Sequence, residues 1–176
     1  MKKILSLILA TLMVLTAVAA LAAPSKTAAD MAYVVSTVCE HGEGVEIRII
    51  DPTELSDKII ADAVVVENPV DLFDEATKTA LGEEAVEMNE LWPIDVFGYE
   101  VGVHGTVKAY FQFPTAYTAE QTLTAVLGHF NGEELTGNTV LEAKLAEDGT
   151  VEVIFPEDAI VKMLEDGLTM LYMLNK

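Results

Sequence analysis

Thr106-Val107-Lys108-Ala109-Tyr110-Phe111-Gln112-Phe113-Pro114 alternates without a slip. Val107, Ala109, Phe111 and Phe113 fall on one side of an extended chain, and Thr106, Lys108, Tyr110 and Gln112 on the other. Pro114 ends the run, because proline brings no N–H to a ladder. A strand with one dry and one wet face is the unit of an antiparallel sheet. This stretch sets the expectation of a mostly β fold.

Downstream the same signal repeats. Residues 123–130 read as a second strand, closed by Asn131-Gly132, a strong short hairpin signal. Residues 140–145 and 151–155 read as a further hairpin about the turn Glu147-Asp148-Gly149. Pro156-Glu157-Asp158 starts a helical turn or two that ends near Gly167, with Ile160, Met163 and Leu164 on its apolar side. Residues 168–174 are apolar on both faces, as a central, doubly covered strand requires.

Upstream the pattern is more mixed. Residues 32–38 and 45–50 are β-branched runs joined through Gly42 and Gly44, which predicts a hairpin. Asp51-Pro52-Thr53-Glu54 carries a cap, an N1 proline and an N3 carboxylate, so a short helix to about Ile60 is expected. Residues 63–66 read as a brief buried strand. Asn68-Pro69 opens a second helix with Leu72, Phe73, Ala76 and Ala80 at helical spacing, and Gly82 closes it. Residues 83–91 fit a helix and a strand equally well.

The order of these elements in residues 91–176 has a likeness. Ile94 to Val101 leads to Gly105-Thr106-Val107, then Tyr117-Thr118-Ala119-Glu120, then His129-Phe130-Asn131-Gly132 and Asp148-Gly149-Thr150-Val151. This succession resembles the small immunoglobulin-like β-sandwich modules of bacterial secreted and cell-surface proteins. It departs from them at Gly137-Asn138 and at the helix near Asp158. The resemblance implies adhesion, spacing or binding rather than catalysis, and transfers no functional residue.

Charge narrows the partners. The 176 residues hold 10 Lys+Arg against 29 Asp+Glu, a formal net charge of −19. Phosphate neutralisation needs a cationic patch, so nucleic acid is excluded as a partner, and anionic membrane surfaces are disfavoured. A basic partner or divalent cations suit such a chain.

The first residues give an address. Met1-Lys2-Lys3 precedes an uncharged apolar run from Ile4 to Leu21, and Ala20-Leu21-Ala22 supplies small residues at a cleavage site. That is the layout of a secretory signal peptide spanning 1–22, followed by a flexible leader over 23–30. A retained anchor is the competing reading, since the run just reaches spanning length. After cleavage no membrane insertion is expected. Cys39 is the single cysteine, so no internal disulfide forms.

Several side-chain groups are candidates for chemistry. Cys39, His41 and Glu43 are spaced by two, the minimal pattern for an edge metal site, but Gly42 and Gly44 turn the backbone there. Glu83, Glu84, Glu87 and Glu90 would form a like-charged helical stripe open to weak Ca²⁺ binding, although no calcium-hand loop exists. His104 reads as a turn residue. His129 reads as a hydrogen-bonded strand-end histidine on a buried face. Neither has zinc spacing. No G-x-S-x-G, phosphate loop or paired metal motif is present. Trp92, Tyr99, Tyr110, Tyr117 and Phe130 are candidates for an aromatic contact patch, with Tyr110 the best exposed.

The expectation is therefore a secreted chain whose residues 31–176 form one compact α+β, mostly β domain. Residues 91–176 supply an antiparallel immunoglobulin-like sandwich, and residues 31–90 add a hairpin and short helices against it. Its function is expected to be non-enzymatic: an interaction or structural module for an extracellular protein or glycan. No catalytic, cofactor or metal residue is assigned. The rivals are a small secreted hydrolase using a carboxylate pair, and an extracellular inhibitor.

Overall fold

The computed structural model describes residues 31–51, 71, 73–82 and 87–175. The expectations for the signal peptide and leader, the helix over 52–60, the strand over 63–66, the start at Asn68-Pro69, and Glu83 and Glu84 lie outside these residues. Within them the chain is mostly antiparallel β with two helices. The strands are β1 (Tyr33–Cys39), β2 (Glu46–Ile49), β3 (Glu87–Phe97), β4 (Val107–Gln112), β5 (Leu123–Asn131), β6 (Glu134–Leu145), β7 (Val151–Phe155) and β8 (Leu168–Asn175). The helices are α1 (Glu75–Leu81) and α2 (Glu157–Glu165).

The alternation after Thr106 makes β4 as expected. Val107, Ala109 and Phe111 are wholly buried, and Lys108, Tyr110 and Gln112 are only partly so. Asn131-Gly132 turns β5 into β6, with Gly132 at φ +64°, the left-handed region that glycine enters without penalty. The hairpin of β6 and β7 forms around Asp148-Gly149, whose Asp148 carboxylate accepts from the Thr150 N–H and hydroxyl. The ambiguous residues are strand from Glu87 onward, because they pair with β8 from Asn175 back to Thr169.

The strands join in one order, β1-β4-β7-β6-β5-β8-β3-β2, every neighbour antiparallel. This corrects two expectations. Residues 32–38 and 45–50 are consecutive but do not pair as a hairpin: β1 pairs with β4 and β2 with β3. They are thus the two edges of the sheet that residues 87–175 build, not an addition packed against it. The sheet curls until these edges approach, and the Ile47 N–H donates to Thr37 Oγ1 at 3.2 Å across the seam. The result is close to a barrel. Strand β4 offers β1 a wholly buried row, Phe111, Ala109 and Val107, opposite its half-buried Val34, Thr37 and Cys39.

Strand β6 is long enough to serve two neighbours. Its residues 134–142 pair with β5, and Ala143, Lys144 and Leu145 pair with β7. Gly137 and Asn138 pair regularly with His129 and Gly128, so the strand runs on through them, and the bulge between His129 and Phe130 leaves Thr136 as the extra residue. Strand β8 lies between β5 and β3 and is buried along seven of its eight residues, as its two-sided apolar sequence requires.

The inside of the curl is filled by Trp92, Phe111, Phe155 and Leu171, each under 2% exposed. Burying one such side chain contributes about 1.5–3 kcal/mol. On the outer face of β5 and β8 a second cluster collects Val126, Phe130, Met170, Tyr172 and Leu174 beneath Phe73 and Leu81 of the α1 segment. Helix α1 is capped by Asp74, whose carboxylate accepts from the Thr77 N–H at 2.7 Å, and ends at Gly82. Its buried positions are Phe73, Thr77 and Leu81, four residues apart; Ala76 and Ala80 face solvent, contrary to the expected stripe. In α2, Ala159, Ile160 and Met163 are buried while Leu164 is 46% exposed, a correction to the expected apolar side.

Candidate functional site

The outward side chains of β4 meet those of its neighbours. Tyr110 donates its hydroxyl to Glu152 Oε2 of β7 at 2.5 Å. Lys144 of β6 stands 3.0 Å from Glu152 Oε1, and Lys108 stands 3.7 Å from the same oxygen. Glu152 is 6% exposed because these three side chains cover it, whereas both lysines reach solvent. The Tyr110 hydroxyl, then the two ammonium groups, hold the Glu152 carboxyl below its ordinary value. The same contact raises Tyr110, and Glu152 raises Lys144.

Beside this network lies edge strand β1. Register places Val38 opposite Lys108, Ser36 opposite Tyr110 and Tyr33 opposite Gln112. A bulge between Val34 and Ser36 turns Val35 outward as well. Tyr33, Val35 and Val38 are each more than half exposed. An open sheet face thus carries an apolar edge next to a tyrosine and two ammonium groups. Edge strands are commonly blunted by charge or proline, and Tyr33–Cys39 contains neither.

Of the five aromatic residues picked out from sequence, only Tyr110 belongs to this face. Trp92 and Phe130 are core, 1% and 6% exposed. Tyr99 spends its hydroxyl on the Gly105 carbonyl at 2.7 Å. Tyr117 is partly buried, and its hydroxyl, buried near Glu90, is pushed far above the usual range, first by desolvation. Glu90 itself is a buried carboxylate: Oε2 accepts from the Trp92 indole N–H at 2.7 Å, and Oε1 from the Thr115 N–H at 2.9 Å. The acidic stripe is therefore not formed by Glu87 and Glu90, which sit in a strand with Glu87 exposed and Glu90 inside.

His129 lies where its alternation puts it, 3% exposed on the inner face. Its Nε2 is 2.9 Å from Thr139 Oγ1 and its Nδ1 is 2.6 Å from Asp166 Oδ2. The sequence of hydroxyl, imidazole and carboxylate is that of a proton relay. Here, however, the ring is sealed from solvent and bridges three elements, which makes the array a structural tie. Burial lowers the His129 pKa, and Asp166 offsets part of that effect.

His104 occupies the turn between β3 and β4, where its Nδ1 accepts from the Glu100 N–H at 2.9 Å. Cys39 ends β1, His41 lies 3.9 Å from Glu40, and Gly42 and Gly44, at φ +76° and +87°, turn the chain between them. Among the described residues no three His, Cys, Asp or Glu side chains are grouped to hold a metal ion.

Sequence reasoning missed Tyr33, Val35 and Val38 as exposed residues, because a β-branched run reads the same at an edge and at a centre. It also missed Glu152. The signal there was a lone acid between Val151 and Val153, which the register sets opposite Tyr110 of β4 and Lys144 of β6. No protein-family model, curated protein or solved structure matches this chain.

Proposed function

We propose that the chain is a secreted, non-enzymatic interaction module of the immunoglobulin-like sandwich class, acting on an extracellular protein or glycan. The observation that carries this reading is the exposed face of β1 and β4, where Tyr33, Val35 and Val38 flank Tyr110 and Lys108. Aromatic and aliphatic side chains beside charged tips are the usual composition of a contact surface. The sandwich reading is supported by β6, which leaves one ladder and enters another as corner strands do. Secretion is supported by the Lys2-Lys3, apolar run and Ala20-Leu21-Ala22 layout.

The test is a binding screen of the chain lacking residues 1–22 against extracellular glycans and proteins, with and without Ca²⁺. A specific partner whose affinity falls at least tenfold in the Val35→Lys, Val38→Lys double variant supports the module. Turnover of a glycan, ester or peptide panel, with binding unaffected by that variant, overturns it.

A further inference from the structure

Helix α2 has little to hold it by itself. It is nine residues long and has no side-chain N-cap hydrogen bond, since Pro156 occupies the cap. An isolated helix of that length is marginal in water. It is fixed by the buried Ala159, Ile160 and Met163 and at both ends by polar contacts. At its start the Glu157 carboxylate accepts from the Gly102 N–H at 2.6 Å. At its end Asp166, the C-cap residue, meets His129 Nδ1 at 2.6 Å. His129 in turn contacts Thr139 of β6, so a single imidazole ties the helix end to β5 and β6.

The charged groups facing His129 are Asp166 and, one turn earlier on α2, Lys162. The neighbours from the sheet are neutral: Thr139 on β6 and Thr169, its register partner on β8. Thr136 donates to the His129 carbonyl at 2.9 Å and carries no charge.

We propose that Thr139–His129–Asp166 is an acid-released latch, in which protonation of His129 frees helix α2 and the Asp166-Gly167 turn from the ends of β5 and β6. The closed state shuts the ring away from water, with one carboxylate for and one ammonium against its charge. Opening returns the ring to solvent, where it takes a proton at its ordinary value. Linkage then drives opening as pH falls below that value, by up to about tenfold per pH unit for one proton. His129 is 3% exposed, and a buried imidazole resists taking a charge, which gives this direction and is also the main cause of its lowered pKa. The latch goes beyond the proposed binding role and does not depend on it.

Amide exchange of the full chain between pH 7.5 and 5, corrected for intrinsic rates, tests it. Protection of residues 157–168 should fall relative to β4 and β7 as pH drops. The His129→Gln variant should lose that pH dependence, and Asp166→Asn, which keeps the ring without its counter-charge, should extend the fall to lower pH. Equal pH dependence in the native chain and His129→Gln overturns the latch. Direct NMR titration of the native His129 ring needs no variant, and a value at or above the ordinary histidine range overturns it too.

Discussion

Gly98 follows β3 at φ +72°, and a Cβ built on it would stand 2.3 Å from the Gly44 carbonyl oxygen. Both partners in that contact are main chain, so no side chain can swing away. The variant Gly98→Ala therefore meets two costs. The left-handed conformation costs an alanine roughly 1–2 kcal/mol. Relief of the clash asks the backbone near Gly44 to retreat by about 1 Å, since carbon and carbonyl oxygen rest near 3.3–3.6 Å. Strain of this overpacking kind costs roughly 1–3 kcal/mol. The expected loss is about 2–5 kcal/mol, a large share of a stability on the order of 5–15 kcal/mol. Gly132→Ala is the control: φ is +64°, yet nothing lies within 4 Å of its Cβ. It should lose only the first cost. Urea unfolding read by Trp92, the single tryptophan and 1% exposed, measures both. Equal losses for the two variants would refute the close approach of Gly98 to Gly44, and with it the packing of the β1–β2 connection on the end of β3.

Three further outcomes are expected. Glu90→Leu strips an acceptor from the Trp92 indole and the Thr115 N–H, and should cost about 1–3 kcal/mol in denaturant unfolding, the range for losing hydrogen bonds to a charged group. Phe155→Ala, at a wholly buried site, should cost about 3–5 kcal/mol by the same assay. The Glu152 carboxyl titrates lower folded than unfolded, so its contribution to stability is complete above the ordinary carboxylate value and is lost as pH falls through the folded one. Tyr110→Phe removes the main cause of that depression, and carbon-detected NMR titration should show Glu152 moving back up.

Much of the sheet could be read from local pattern. Strands β4, β5, β7, β8 and the second half of β6 follow from alternation, from Asn131-Gly132 and Asp148-Gly149, and from the two-sided apolar run at Leu168, whereas Gly137-Asn138 hid the first half of β6. The partners of β1 and β2 could not, because pairing with strands 45 or more residues away leaves no mark at either strand. Residues 87–91 were ambiguous for the same reason: β8 decides them, and β8 lies far along the chain. Tyr110 was legible as an outward residue from its neighbours alone. Its role was not, since Glu152 and Lys144 arrive from two other strands. His129 was placed on the correct face by the spacing of Ala125 and Leu127, while Asp166 came from a helix end that periodicity does not locate to one residue.

Strand β8 has one consequence for assembly. It is the latest element in chain order, yet it stands in the interior of the sheet, with five strands on one side and two on the other. Until it emerges, β3 and β2 have no ladder to join, and the larger half keeps an open inner edge. Cooperative closure must therefore wait for β8, and relies on contacts between distant parts of the chain, which makes for slow folding.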